Sequence, residues 1–174
     1  VDSDIGLYGS FCKLAIIMTL FIQSFRYAAE PFFFAQQTAH NAKKIYADVM
    51  KYFVIFMGIV FLIVAIYYDF VIKFLGPDYR HTKGFYVVTI LLIANLFLGI
   101  YYNLSIWYKL TDKTKFGAYL ALFGMIVTIA ANIILIPKIG FVGSAWATLI
   151  CYASMIIASY FLAKKHYPIP YETS

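Results

Sequence analysis

Residues 116–136 have the sequence FGAYLALFGMIVTIAANIILI, a run of 21 residues without a charged side chain. A helix needs about 20 mainly apolar residues to cross the roughly 30 Å hydrocarbon core of a bilayer. This run therefore predicts a transmembrane helix, and the rest of the chain has the same character. Of its 174 residues, 63% are hydrophobic and 13% are charged, against about 45–50% and 25% in soluble domains. A globule of this size could not enclose so many apolar side chains, so lipid must cover them.

Four more apolar runs accompany this one, which gives five predicted spans at residues 7–29, 49–68, 85–108, 116–136 and 141–163. The first is the weakest, because Lys13 and Arg26 interrupt it. Short connections with helix-stopping residues separate the runs: Glu30-Pro31, Gly76-Pro77-Asp78, Thr111-Asp112-Lys113 and residues 137–140. The runs are also twice as long as membrane strands. The sequence predicts an all-α integral membrane protein, a bundle of about five transmembrane helices with antiparallel neighbours.

The connection at residues 30–48 is predicted to stay outside the hydrocarbon core. Pro31 disfavours continuation of the first helix. The polar and basic side chains that follow make insertion into lipid costly: Gln36, Gln37, His40, Asn41, Lys43 and Lys44. We expect a broken or amphipathic segment after Pro31 and not a sixth crossing.

The basic residues predict an orientation, because short cytoplasmic loops carry an excess of Lys and Arg. Counted over alternate connections, eight lie on one side: Lys43, Lys44, Lys51, Lys109, Lys113, Lys115, Lys164 and Lys165. Four lie on the other: Lys73, Arg80, Lys83 and Lys138. We therefore expect a cytoplasmic C-terminus. The dispersal of these charges also argues against a nucleic-acid partner.

The motifs of soluble enzymes are absent from the sequence, including phosphate-binding glycine loops, the G-x-S-x-G elbow and H-E-x-x-H. His40, His81 and His166 fall in predicted loops or in the tail, without partners for catalysis. Cys12 and Cys151 lie in apolar runs with no second Cys or His at metal-ligand spacing. We expect no enzymatic activity, no metal site and no cofactor.

Polar side chains inside the apolar runs are the candidate functional residues, because in lipid they face a bundle interior or an aqueous cavity. The first span carries several on one broad arc: Lys13, Gln23, Ser24, Arg26, Tyr27 and Glu30. Later spans carry stripes of small and polar residues: Asn95, Gly99, Asn103; Gly117, Ala121, Gly124, Thr128, Asn132; Gly143, Ala147, Cys151. Small residues favour close helix packing, and an Asn in a bundle core most often bonds to a neighbouring helix, so ligand contact is the alternative for these stripes.

Residues 132–148, NIILIPKIGFVGSAWAT, resemble the late-helix signature of bacterial polysaccharide flippases of the multidrug, oligosaccharidyl-lipid and polysaccharide exporter superfamily. The sequences GLYGS at 6–10, AAEPFFF at 28–34 and GPDY at 76–79 have the order and spacing of that family's C-terminal half. The resemblance covers about residues 6–168. It implies that residues 1–174 form the C-terminal transmembrane lobe, resembling helices eight to twelve and incomplete at its N-terminus. The whole would be a two-lobe transporter of twelve to fourteen helices.

The resemblance implies a function: flipping of polyprenyl-diphosphate-linked oligosaccharide units across the bacterial inner membrane, for O-antigen, lipopolysaccharide or capsule biosynthesis. Alternating access would need both lobes. The implied partners are the lipid-linked oligosaccharide, membrane lipid, the N-terminal lobe and other polysaccharide-assembly proteins. The diphosphate needs cations and hydrogen-bond donors in place of water, and Arg26 and Lys13 are the intramembrane cations. The further candidate cavity residues are Gln23, Asn95, Tyr102, Asn103 and Asn132.

Three other classes of protein stay open. A cation-coupled multidrug antiporter would favour buried carboxylates, whereas Asp69, Asp78 and Asp112 lie at helix ends or in loops. A membrane-embedded glycan polymerase or glycosyltransferase would carry a longer external loop than the 15 residues at 70–84. The third class is a structural membrane subunit.

Arg26 also has two readings without a ligand. Glu30 follows four residues later on the same helix, so the two charges could neutralise each other. The long Arg side chain could also extend to the lipid headgroups with no further role. A phosphate-facing Arg26 is the third interpretation, because an ionisable group inside a membrane span is a functional candidate and the implied substrate is anionic.

Overall fold

The computed structural model describes residues 2–68, 82–167 and 169, with side chains from Ile16 and, beyond the gap, from Phe85. These residues form helices α1 (Asp2–Ala35), α2 (Ala42–Ile66), α3 (Thr82–Leu104), α4 (Ile106–Leu110), α5 (Lys115–Ile139) and α6 (Val142–His166). Only Ser105 separates α3 from α4, and its amide donates to the Tyr101 carbonyl (2.8 Å), so the two form one rod.

Four stretches in the described part are long and apolar enough to cross a membrane: Ala42–Ile66, Phe85–Leu110, Lys115–Ile139 and Val142–His166. The predicted span at 7–29 lies within the 34-residue helix α1. The prediction of an all-helical membrane protein is therefore confirmed.

The predicted helix stop at Glu30-Pro31 is wrong, because α1 continues through Pro31 to Ala35 and α2 begins at Ala42. A proline removes one helical hydrogen bond and crowds the preceding turn, but packing against α2 offsets this loss. The Tyr46 hydroxyl donates to the Phe33 carbonyl (3.0 Å), and the two rings meet edge to face at 5.2 Å. The connection is thus a tight turn at residues 36–41, with no sixth crossing and no broken segment.

The predicted connection at 137–140 is also shorter than expected, because α5 includes Pro137 and ends at Ile139. The turn is made by Gly140, whose φ of 64° suits a residue without a side chain. The predicted turn at Thr111-Asp112-Lys113 is confirmed, with the Lys113 amide bonded to the Tyr108 carbonyl (2.8 Å). The predicted connection Gly76-Pro77-Asp78 lies outside the described residues.

The α3–α4 rod lies at the centre of the bundle. α3 packs against α1, α2 and α6, while α5 packs mainly against α6. The α1–α2–α3 interface is filled by apolar side chains such as Ile22, Phe53, Met57 and Leu92. On α5, Leu120 and Gly124 are buried while many apolar side chains face outward, as a lipid-facing helix requires.

The α5–α6 interface is built on the predicted small residues. A Cβ atom added at Gly143 would lie 2.7 Å from the Leu135 backbone, and one at Gly124 would lie 2.6 Å from the Met155 sulfur. The Cys151 thiol points to the Gly124 carbonyl (3.3 Å). On these helices the stripes of small residues therefore serve close packing.

One end of the bundle collects most of the lysines, and we call it the basic end: residues 36–44, 109–115 and 164–167. The Gln37 side-chain amide donates to the Leu110 carbonyl (2.8 Å). The Lys43 ammonium lies 4.9 Å from the centre of the Tyr167 ring. His166, predicted in the tail, is the last residue of α6 and stacks on Trp107 at 5.5 Å. The alternate connections thus meet at one end, whereas the side of the membrane that this end faces stays a prediction.

Candidate anion-binding cleft

Arg26 lies on α1 and points at the central rod. Its guanidinium carbon is 4.8 Å from the centre of the Tyr102 ring, a distance at which a cation is attracted to the ring face. Its Nε atom lies 3.3 Å from Oε1 of Glu30, one helical turn later. The Arg26 side chain is about one-third exposed (32%). The arginine is thus held by an aromatic ring on one helix and a carboxylate on its own.

Lys109 completes the cluster from α4. Its ammonium group donates to Oε1 of Glu30, the same oxygen that Arg26 approaches. Two cations from different helices therefore converge on one carboxylate, which leaves one surplus positive charge. The Lys109 and Glu30 side chains are about as exposed as Arg26 (29% and 32%), so water still reaches the cluster.

Lys109 is predicted in a loop and not as a site residue, whereas it lies on α4. A signal was present, because Lys109 follows Tyr102 by seven residues on one continuous span. Seven residues are close to two helical turns, so the two side chains share a face. Finding Arg26 opposite that face required the packing of α1 on the rod.

The charged cluster borders a narrow cleft between α1, α2 and the α3–α4 rod. Its cavity volume is about 10 Å³, which is about the space of one water molecule, and it is partly open to the outside. Apolar walls dominate, with Ile22, Phe25, Phe33 and Phe53 among them. The close approach depends on Gly99, since a Cβ atom there would lie 2.4 Å from the Phe53 ring.

Asn103 supplies an unused acceptor in this cleft. Its side chain is buried (5% exposed), and its amide nitrogen donates to the Gly99 carbonyl (3.1 Å). Since a carbonyl can only accept, that bond fixes which way the amide points. The Asn103 Oδ1 atom is buried without a hydrogen-bond partner. A hydroxyl group of a ligand would satisfy it.

The structure brings three of the predicted site residues, Arg26, Tyr102 and Asn103, into this cleft. Asn95 accepts a hydrogen bond from the Thr19 hydroxyl (3.2 Å) and so links α3 to α1. Asn132 lies on α5, where its amide donates to the Thr128 carbonyl (2.9 Å). Neither Asn95 nor Asn132 lines the cleft.

Two predicted residues of α1, Gln23 and Lys13, are not part of the cleft as described. Gln23 is half-buried and does not line the cleft. The Lys13 side chain is outside the described part. Its backbone position precedes Arg26 by 13 residues, about 20 Å along the helix axis at 1.5 Å per residue.

The cluster lies near one end of the helices that carry it. Lys109 is the second-to-last residue of the span Phe85–Leu110, and Glu30 is five residues before the end of α1. Arg26 is one turn, about 6 Å, further from that end of α1. Among the described residues, no three His, Cys, Asp or Glu side chains are grouped as a metal site would need. The arrangement offers cations to an anion at the bilayer surface.

Comparison with known proteins supports the membrane assignment and goes no further. No protein-family model matches the chain, and no solved structure matches it. An uncharacterized membrane protein of Methanocaldococcus jannaschii is 33% identical over 87 residues, covering 48% of this chain and 21% of that protein. The matched part of the chain thus spans about a fifth of the length of this curated relative. The helices and this relative together indicate a membrane protein.

Proposed function

We propose that this protein translocates polyprenyl-diphosphate-linked oligosaccharides and that the cleft beside Arg26 and Lys109 binds the diphosphate. The observation that carries the proposal is the convergence of these two cations from different helices near the end of the span Phe85–Leu110, an end that we place at the depth of the lipid headgroups. A diphosphate attached to a membrane-anchored polyprenyl chain sits at that depth while its tail remains in lipid. Binding and movement are sufficient for this task, without covalent chemistry.

The chemistry of Arg26 suits phosphate. Its Nε atom lies 3.3 Å from Oε1 of Glu30 without a hydrogen bond, and the guanidinium also carries two terminal Nη groups. These groups have the fork geometry that binds two phosphate oxygens at once. Lys109, which contacts the cleft residue Glu30, would add a point charge.

The sugar end of the proposed substrate would meet Asn103. Its unpaired Oδ1 atom needs a donor, and a sugar presents many hydroxyl groups. The Tyr102 ring stacks on the Arg26 guanidinium. We therefore assign Tyr102 to holding the arginine and not to stacking on sugar.

The rest of the proposed transporter follows from the family resemblance. Alternating access needs two lobes around a shared site near the midplane, and this chain would form most of the C-terminal lobe of a twelve- to fourteen-helix protein. We place it in the bacterial inner membrane with its basic end in the cytoplasm. The cleft would then receive substrate from the inner leaflet, where lipid-linked units are made.

A cation-coupled antiporter is the second candidate, because Glu30 is a carboxylate at the cleft. In such a protein the carboxylate has to be available to a proton or a cationic substrate. Glu30 instead contacts both Arg26 and Lys109. A carboxylate held by two cations is a poor cation site, so the flippase proposal is preferred.

The test is binding of farnesyl diphosphate to the protein in nanodiscs of neutral lipid, with farnesol as the uncharged comparison. We expect Arg26→Gln and Lys109→Gln each to weaken binding about fivefold, since a contact between charged groups that water still reaches contributes at most about 1 kcal/mol. Arg26→Lys should retain part of the affinity. Lys138→Gln is the matched control, because it removes one exposed charge at the opposite end of the bundle. Equal binding of farnesol, or no effect of either cleft variant, would contradict the proposal.

The proposed orientation has its own test. Single cysteines placed at Lys113 and Lys165, in a background without Cys12 and Cys151, should be shielded from an impermeant thiol reagent added to intact cells. A cysteine at Thr82 should react, because α3 begins there at the opposite end. The reverse labelling pattern would overturn the cytoplasmic placement of the basic end.

A further inference from the structure

Two cations at the proposed depth would attract bulk anionic phospholipids as well as the proposed substrate. Anionic phospholipids surround every membrane protein and are attracted to basic groups near the surface. The monoanionic ones, such as phosphatidylglycerol, carry one negative charge on a phosphodiester. A cleft that bound them readily would be filled before a rare diphosphate lipid arrived.

The cleft already contains an anion of its own. Oε1 of Glu30 contacts both Arg26 and Lys109, so the carboxylate occupies the position where a ligand oxygen would meet both cations. With Glu30 in place, the cluster of Arg26, Lys109 and Glu30 has a net charge of +1. A phosphodiester that displaced the Glu30 carboxylate would replace one negative charge by another, so the binding free energy would be small. A diphosphate brings at least two charges, and its attraction to each cation scales with that charge.

We propose that Glu30 is a specificity-determining residue that reserves Arg26 and Lys109 for ligands carrying two or more negative charges. The proposal rests on the function proposed above for this cleft. Bulk phospholipid would not displace the carboxylate, whereas a diphosphate would. Glu30 thus sets which anionic lipid can enter.

The surroundings of Glu30 permit such an exchange. Its side chain is one-third exposed, so it can turn toward water once the cations have another partner. Arg26 would stay in place meanwhile, because the Tyr102 ring holds its guanidinium independently of Glu30. The site would therefore be ready for the phosphate before the carboxylate leaves.

The experiment measures farnesyl diphosphate binding to Glu30→Gln and to the unmodified protein in two kinds of nanodisc, phosphatidylcholine and phosphatidylglycerol. In phosphatidylcholine we expect Glu30→Gln to bind about tenfold more tightly, since no internal anion has to be displaced. In phosphatidylglycerol that gain should disappear, because the monoanionic lipid now occupies the freed cations. The unmodified protein should bind equally, to within about twofold, in both lipids.

Asp48→Asn is the matched control, because it removes an equal charge from an exposed position on α2. Asp48→Asn should leave the affinity for farnesyl diphosphate unchanged in both kinds of nanodisc. Thermal unfolding of Glu30→Gln establishes that the variant folds, and Glu30→Asp, which keeps the charge on a shorter side chain, should retain the lipid selectivity in part.

If Glu30→Gln binds no more tightly in phosphatidylcholine, or keeps its gain in phosphatidylglycerol, the role of Glu30 is refuted. In that case, continued binding by the unmodified protein and its loss in Arg26→Gln would leave the proposed function intact. Absence of binding in the unmodified protein and in Glu30→Gln would refute both.

Discussion

The α3 and α5 helices carry the same kind of stripe, glycine followed by asparagine at helical spacing, yet the stripes end in different surroundings. The two amides bond alike, because Asn132 and Asn103 each donate to the carbonyl four residues earlier and each has a buried Oδ1 atom without a hydrogen-bond partner. On α5, Gly124 packs against Met155, whereas on α3 Gly99 packs against the Phe53 ring and Asn103 lines the cleft. What distinguishes the two is the convergence of charged groups from neighbouring helices on α3. A stripe of small and amide residues therefore indicates packing, and charges that meet across helices indicate a site.

The largest effect expected from this comparison is on the packed interface. Gly143→Ala places a Cβ atom 2.7 Å from the Leu135 backbone, which cannot move aside as a side chain can. We expect a loss of roughly 2–3 kcal/mol in stability, seen as a lowered unfolding temperature in detergent. Gly58→Ala is the control, because nothing lies within 4 Å of its added Cβ. Equal stability of the two variants would show that α5 and α6 are not packed as described.

The next effect concerns the ring that holds Arg26. Tyr102→Leu removes the cation–π contact at 4.8 Å, which contributes about 0.5–2 kcal/mol. The same range predicts that farnesyl diphosphate binding weakens about two- to thirtyfold. Tyr102→Phe keeps the ring and should bind normally. Equal loss in both variants would mean that the hydroxyl, and not the ring face, matters.

A matched pair of amides sharpens the comparison further. Asn103→Ala removes an unpaired acceptor that lines the cleft, whereas Asn132→Ala removes an unpaired acceptor on α5, outside the cleft. For a prenyl diphosphate that carries a sugar, Asn103→Ala should weaken binding about fivefold, the size of one hydrogen bond of about 1 kcal/mol. For the same lipid without sugar, it should have no effect. A sugar-specific loss in Asn132→Ala would move the substrate path to α5.

The smallest effect concerns the bond between α1 and α3. Thr19→Val removes the hydrogen bond to Asn95 and should lower stability by about 0.6 kcal/mol, the average for such bonds in a membrane protein. Farnesyl diphosphate binding should not change, because Asn95 is outside the cleft. A loss of binding with unchanged stability would place Asn95 in the ligand path.

Much of the fold could be predicted, because a helix that crosses a bilayer needs about 20 apolar residues. In lipid the backbone groups also have to bond within their own helix, which leaves few alternative structures. The errors lie at Pro31 and Pro137, where the expected stops depended on local preference. At Pro31 the contacts of Phe33 with α2 stabilise the last turn and offset the hydrogen bond that the proline removes. Such tertiary contacts cannot be predicted from the preferences of neighbouring residues in the sequence.

The candidate site was predictable in part for the same reason. Arg26, Tyr102 and Asn103 stood out as polar or aromatic groups in or near apolar spans, and they share the cleft. Lys109 did not stand out, because lysines are common beside loops. Its role depends on contact with Glu30, which belongs to another helix. The pairing of Arg26 with Glu30 was foreseen from their spacing of four residues, and the second cation on the same oxygen was not.

The most direct test of the central claim is a structure of the protein with bound farnesyl diphosphate. Our account predicts the diphosphate between the Arg26 guanidinium and the Lys109 ammonium, with the Glu30 carboxylate turned away from both and the Tyr102 ring still against Arg26. A diphosphate bound elsewhere, with the contacts among Arg26, Glu30 and Lys109 unchanged, would contradict it and leave the cluster as a structural link between α1 and α4.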